Sequence, residues 1–180
     1  MFYNQPRYYG ETLCSSPYPV FCNSYYGNVY LPYVQSQRPS LIKQEQHVLK
    51  DFGPNPLVFN IEAATKQNNN YRTTLWTGQY LQMTLMSIEV GGDIGLEVHP
   101  NTDQFIRIEQ GQGLVQMGDR RDQLNFQVTA KADDAILIPA GKWHNLTNLG
   151  NVPLKVYVIY APPEHPHGTV HKTKADAMHL

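Results

Sequence analysis

The sequence predicts an all-β domain, an antiparallel sandwich or barrel, on three observations. From Asp51 onward, short runs rich in Val, Ile, Leu, Thr and Tyr recur at strand-like spacing. The runs are separated by turn formers, and the chain carries 13 Gly and 13 Pro. No segment has the long 3.6-residue period that would alternate helices with parallel strands, so a βαβ architecture is excluded.

The elements follow in order. Leu57 to Ile61 reads as a first short strand, Glu62 to Lys66 as one helical turn and Asn68 to Asn70 as a loop. Tyr80 to Val90 alternates imperfectly, with Leu81, Met83, Leu85 and Ser87 on one face and Gln82, Thr84, Met86 and Ile88 on the other. Gly91-Gly92 ends it. Gln104 to Glu109 is the next strand, stopped by Gly111 and Gly113, and Leu114 to Met117 follows. Gly118 to Asp122 is a turn whose two Arg and two Asp balance. Leu124 to Thr129, Ala135 to Ile138, Trp143 to Asn148 and Leu154 to Tyr160 complete the series. No internal repeat appears.

Composition narrows the function. Fourteen Lys and Arg against fifteen Asp and Glu leave a net charge of −1, which excludes a basic nucleic-acid binder and gives no grip on anionic membranes. No apolar run is long enough to span a bilayer. The start, MFYNQPRYYG, lacks the apolar centre of a signal peptide, so synthesis in the cytoplasm is expected. Residues 1–50 differ from the rest: they hold eight of the twelve tyrosines, five prolines, and both cysteines, Cys14 and Cys22. Pro6, Pro17, Pro19, Pro32 and Pro39 break any regular element, so this is read as an extended or disordered arm, with a domain and a C-terminal strap at 51–180. Two readings of the arm stay open: a leader with chance Tyr enrichment, or a segment whose tyrosines dock on a neighbouring subunit or assembly. The cysteines are equally compatible with a cross-link and with two free thiols.

Two stretches carry chemistry. The first runs Gly91-x5-Glu97-x-His99-x4-Gln104-x6-Gly111, the second Pro139-x-Gly141-x2-His144-x3-Asn148. Glu97 and His99 are two apart, so on an extended strand they share a face. Pro100 to Asp103 is short enough to return Gln104 to the same side, and His144 opens a later strand after a Pro-x-Gly turn. Four ligand-type side chains thereby converge inside one barrel.

These residues resemble the paired motifs of the cupin superfamily, a double-stranded β-helix barrel of the jelly-roll class. The likeness covers about residues 57–163. It keeps Gly91, Gly111, His99 and the second motif from Pro139 to Asn148. It departs where Glu97 replaces the first His of the family, Gln104 replaces its Glu, and Asp133 stands at a Gly. The resemblance implies a metal set of Glu97, His99, Gln104 and His144. Two imidazoles and two oxygens, without thiolate, suit Mn, Fe, Co, Ni or Zn. The short bacterial cupins described as mannose-6-phosphate isomerase-like are similar, which implies a small-molecule substrate and a sugar or sugar-phosphate isomerisation, with proton transfer between adjacent carbons. Oxygen chemistry at Fe(II) is the competing use of such a site. No catalytic base is identified, since Glu97 serves as a base only where it is not a ligand. The alternative is a metal-free polar pocket in which Gln104 hydrogen-bonds Glu97 or His99. The arm resembles segments of spore-coat proteins, which implies a structural or binding role in such a coat, and a homodimer is expected.

Other residues read more simply. His165, His167 and His171 lie on a Pro-broken segment expected to close over the barrel mouth, with a substrate lid or a second metal site as the alternatives. Lys172 and Lys174 are solvated or meet a phosphate. Trp76 is a core or mouth aromatic, Trp143 points away from His144, and Arg107 faces outward. Asn145 to Thr147 matches a glycosylation sequon by chance. His47 and His179 have no motif around them.

Overall fold

The computed structural model describes residues 48–178. The arm expected at residues 1–50, with Cys14, Cys22 and His47, lies outside the described residues except for Val48 to Lys50, and so does His179.

One helix precedes the barrel: α1 (Ile61–Gln67). Nine strands follow: β1 (Arg72–Thr77), β2 (Gln82–Ile88), β3 (Asp103–Gln110), β4 (Gln112–Gly118), β5 (Phe126–Lys131), β6 (Ala135–Ile138), β7 (Trp143–Asn148), β8 (Leu154–Ala161) and β9 (Val170–His171). They form a six-stranded sheet in the order β6-β3-β8-β2-β1-β9 and a three-stranded sheet in the order β5-β4-β7. All pairings are antiparallel. The segment 91–97 adds a further edge, with bridges Asp93 to Thr147 and Glu97 to His144 on β7. The architecture is that of an antiparallel jelly-roll barrel.

The expected strand Leu57 to Ile61 is not formed. Residues 57–60 are unpaired, and Ile61 instead opens α1. The reason is local: Asn60 Oδ1 accepts from Ala63 N at 3.0 Å, capping the helix start. The helix covers the outer face of the larger sheet, where Ala64, Leu75 and Leu85 are buried together.

β1 was not legible as a strand because its outward-facing residues are buried too. Thr73 and Leu75 face α1, while Arg72 and Thr74 sit opposite Met86 and Thr84 on the interior face. Residues 72–75 are therefore buried without alternation.

The other register pairs set the interior in rows. Gln82, Tyr160, Gln104 and Ile138 lie side by side across β2, β8, β3 and β6. The next row is Thr84, Val158, Ile106 and Ile136, and below it come Met86, Val156 and Ile108. Along β2, β3 and β8 the interior therefore changes from polar at one end to aliphatic at the other, while β1 places Arg72 level with Met86. The aliphatic end is closed by Asn148, whose Nδ2 donates to the carbonyls of Ile88, Glu89 and Val152.

Candidate metal centre

The polar end is where the motif residues meet. β7 begins at Trp143, so His144 is the first inward side chain of that strand and is 1% exposed. Its backbone N donates to Glu97 O at 2.9 Å, and Glu97 N donates to His144 O at 3.0 Å. This reciprocal pair places the Glu97 and His144 side chains on one face. Two residues on, His99 returns to that face, held by Gly141 N donating to His99 O at 2.8 Å.

Glu97 Oε1 lies 3.3 Å from His99 Nε2 and 3.3 Å from His144 Nε2. One donor atom from each of the three residues falls within 4.8 Å of the others, the one such group among the described residues. Both imidazoles are pinned from behind. His144 Nδ1 is 2.9 Å from Lys142 O, and a carbonyl only accepts, so Nδ1 carries the proton. His99 Nδ1 is 3.1 Å from Glu164 Oε1, again an acceptor. In the neutral tautomers the lone pairs of both Nε2 atoms therefore face the centre, as a metal ligand requires. His144 Nε2 is buried and, despite its distance from Glu97, makes no hydrogen bond.

Electrostatics follow the same geometry. Burial alone would raise the Glu97 carboxyl, but His144 and His99 outweigh it and hold it down at about 2, so Glu97 is an anion. Burial would lower His99, but the Glu97 and Glu164 carboxylates raise it instead.

Gln104 is 3% exposed on β3. Its Nε2 is 3.5 Å from the Tyr160 hydroxyl, and its Oε1 is buried without a partner. Hydrogen bonds from Gln104 to Glu97 or His99 do not form. The amide thus leaves one neutral oxygen uncommitted, on a side chain that meets Tyr160, whose ring packs edge-on against His99. A divalent cation of the N/O-binding class fits Glu97, His99 and His144, because the buried His144 Nε2 faces the Glu97 carboxylate without hydrogen-bonding it, and the buried Gln104 Oε1 is open to a further contact.

Glu164, Tyr160 and Arg72 were missed in the sequence. Glu164 stands on the strap, far from both motifs, and nothing local marks it. It also accepts from Thr102 Oγ1 at 3.0 Å. The strap is latched by Gln82, whose Nε2 donates to His165 O at 2.7 Å and whose Oε1 accepts from His165 N at 2.9 Å. The three histidines of this segment diverge. His165 packs edge-on against Tyr160 at 5.0 Å, His167 reaches Asp51 at 3.4 Å, and His171 pairs with Arg72 in β9. They form no second metal site. Lys174 pairs with Asp93 at 2.6 Å. Trp143 turns away from the centre and stacks with Arg121 at 5.8 Å, and Arg107 pairs outward with Asp133 at 2.8 Å. Asp133 has φ 75°, the left-handed backbone that explains a Gly at this point of the motif.

Residues 84–160 match the family model described as a cupin domain. The uncharacterized protein YrkC of Bacillus subtilis is 64% identical over 131 residues, covering 73% of this chain and 70% of YrkC. The uncharacterized protein L612 of Acanthamoeba polyphaga mimivirus is 38% identical over 114 residues, covering 63% of this chain and 69% of L612. The crystal structure of BH2720 from Bacillus halodurans matches with a TM-score of 0.72 at 64% identity, covering 73% of this chain and 99% of that one.

Proposed function

The chain belongs to the cupin family, and from that premise we propose that it holds a divalent metal ion at Glu97, His99 and His144, with Gln104 Oε1 as a fourth donor. The observation that carries the reading is the pinning of both Nδ1 atoms, which leaves two Nε2 lone pairs facing one ionised carboxylate. When bound, such a metal supplies Lewis acidity toward a carbonyl or hydroxyl of a small oxygen-rich substrate. The protein's own part is to orient the ligands. Lys142 O and Glu164 fix the rings, and the Gln82 latch keeps Glu164 in place. Glu97, one quarter exposed, marks where solvent and substrate reach the centre.

The substrate class we favour is a sugar or sugar phosphate undergoing isomerisation. Glu97 is committed as a ligand and does not serve as the base. A non-catalytic reading, a binding or coat component, is favoured by the Tyr- and Pro-rich residues 1–50 and keeps the same metal centre.

Elemental analysis of the purified full chain tests the proposal, with Glu97→Ala and His144→Ala as controls. We expect close to one equivalent of a divalent transition metal, lost in both variants. Absence of metal from protein never exposed to chelator, together with no uptake of Co(II) or Mn(II) on titration, overturns it. A substrate screen on the loaded protein then separates enzyme from binding protein. Deletion of residues 1–50 should spare turnover in the first case and abolish assembly in the second.

A further inference from the structure

Arg72 is 5% exposed at the start of β1, with its Cα level with Met86 and Val156 in the aliphatic part of the barrel. None of the ion pairs among the described residues includes it. Its guanidinium lies against the Tyr71 ring at 5.7 Å and close enough to the Tyr160 hydroxyl for its charge to act on it, and its Nε is buried with no partner. A guanidinium taken out of water is strongly destabilising unless an anion meets it. An aliphatic side chain at this position would pack against Met86 without that penalty.

The groups around it are of one kind. His165 Nε2 and His171 Nδ1 are also buried without partners. Burial, then the Arg72 charge, pushes His165 down to about 3, so it is neutral, and the same causes lower His171. A neutral imidazole with a free nitrogen can place its N–H there. Tyr160, 0% exposed, joins the two halves of the site: it stacks edge-on with His99 at 5.7 Å, touches His165 and meets both Arg72 and Gln104. One fixed cation and several uncommitted donors therefore adjoin the metal ligands, with Glu97 and Glu164 engaged by the imidazoles.

We propose that the free Nε edge of Arg72, beside the unpartnered ring nitrogens of His165 and His171, binds an oxyanion, the carboxylate or phosphoryl group of a small substrate whose remaining oxygens reach the Glu97–His99–His144 centre. The free Nε edge of Arg72 suits such a group because a guanidinium offers paired N–H donors in a plane. The inference rests on the metal reading for the second half of the substrate, but the Arg72 half stands alone and is tested separately.

The experiment uses the full chain with malonate and inorganic phosphate as probes. Binding is followed by calorimetry and thermal unfolding, on chelator-treated and on Mn(II)-loaded protein. We expect one probe to bind and raise the melting temperature, with affinity at least tenfold lower in Arg72→Met and intermediate in Arg72→Lys. Which probe binds identifies the carboxylate or the phosphoryl source. Without probe, Arg72→Met should melt at or above the wild type, because it removes an unpaired buried charge. Mn(II) affinity should stay within about threefold. The proposal falls if neither probe binds the wild type in either state, if Arg72→Met binds it equally well, or if Arg72→Met unfolds while Arg72→Lys keeps full affinity. Loss of Mn(II) binding with Arg72-dependent anion binding retained would overturn the metal reading alone.

Discussion

The two ends of the barrel interior solve the same packing problem with opposite chemistry. At one end, Ile88, Leu154, Val156, Ile108 and Leu146 are at most 1% exposed and carry no polar side-chain atoms. The single amide there, Asn148, has both its nitrogen and its oxygen engaged. At the other end, Gln82 and Gln104 flank Tyr160 in one row and behave differently. Gln82 is fully engaged in latching the strap, whereas Gln104 Oε1 has no partner. Since native interiors satisfy nearly all their polar atoms, Gln104 Oε1 stands out in this row as an acceptor open to a ligand, where Gln82 is not.

That contrast can be broken by substitution. Leu154→Ala at the aliphatic end should lower stability by about 2–5 kcal/mol, through lost burial and the cavity left behind, and leave metal affinity within about threefold. Chemical denaturation and metal titration read the two effects separately. Removing a centre ligand, as in Glu97→Ala, should invert the pattern, with metal affinity reduced on the order of 100-fold or more.

Smaller effects sharpen the comparison. Glu164→Gln keeps the size of the side chain but removes the carboxylate behind His99, and should weaken metal binding about 10–100-fold, the range of outer-sphere carboxylates. A change below twofold would show that the strap only covers the site. Next comes acid. His165 is held at about 3 in the fold against 6.5 when unfolded, first by burial and then by Arg72. The unfolded chain therefore binds this proton more readily, so the contribution of His165 to stability is present above 6.5 and is lost as pH falls toward 3. Thermal unfolding of metal-free His165→Asn between pH 6.5 and 3 should fall less steeply than that of the wild type. Smallest of all, Asp133→Gly should change stability by no more than about 1 kcal/mol in the stabilising direction. It relieves a left-handed backbone, and the Asp133 partner of Arg107 that it removes is itself 85% exposed.

Much of the fold could be read locally. Ala135 to Ile138 and Trp143 to Asn148 end where their turn residues end them, and Gly91 and Gly111 take the positive φ their places require. Leu57 to Ile61 misled because an apolar run says nothing about whether a partner strand lies beside it. β9 is two residues long and exists only because β1 is there to pair with.

What the sequence determined by itself was the barrel and the side chains at its polar end, since strand period, turn residues and the spacing of Glu97, His99 and His144 are properties of neighbouring residues. The tertiary structure decided which of those side chains are satisfied. Glu164 reaches His99, His165 meets Tyr160, and Arg72 is left without an anion, through contacts between residues far apart in the chain. Such pairings depend on how strands stack into a closed barrel, and no local pattern of residues encodes them.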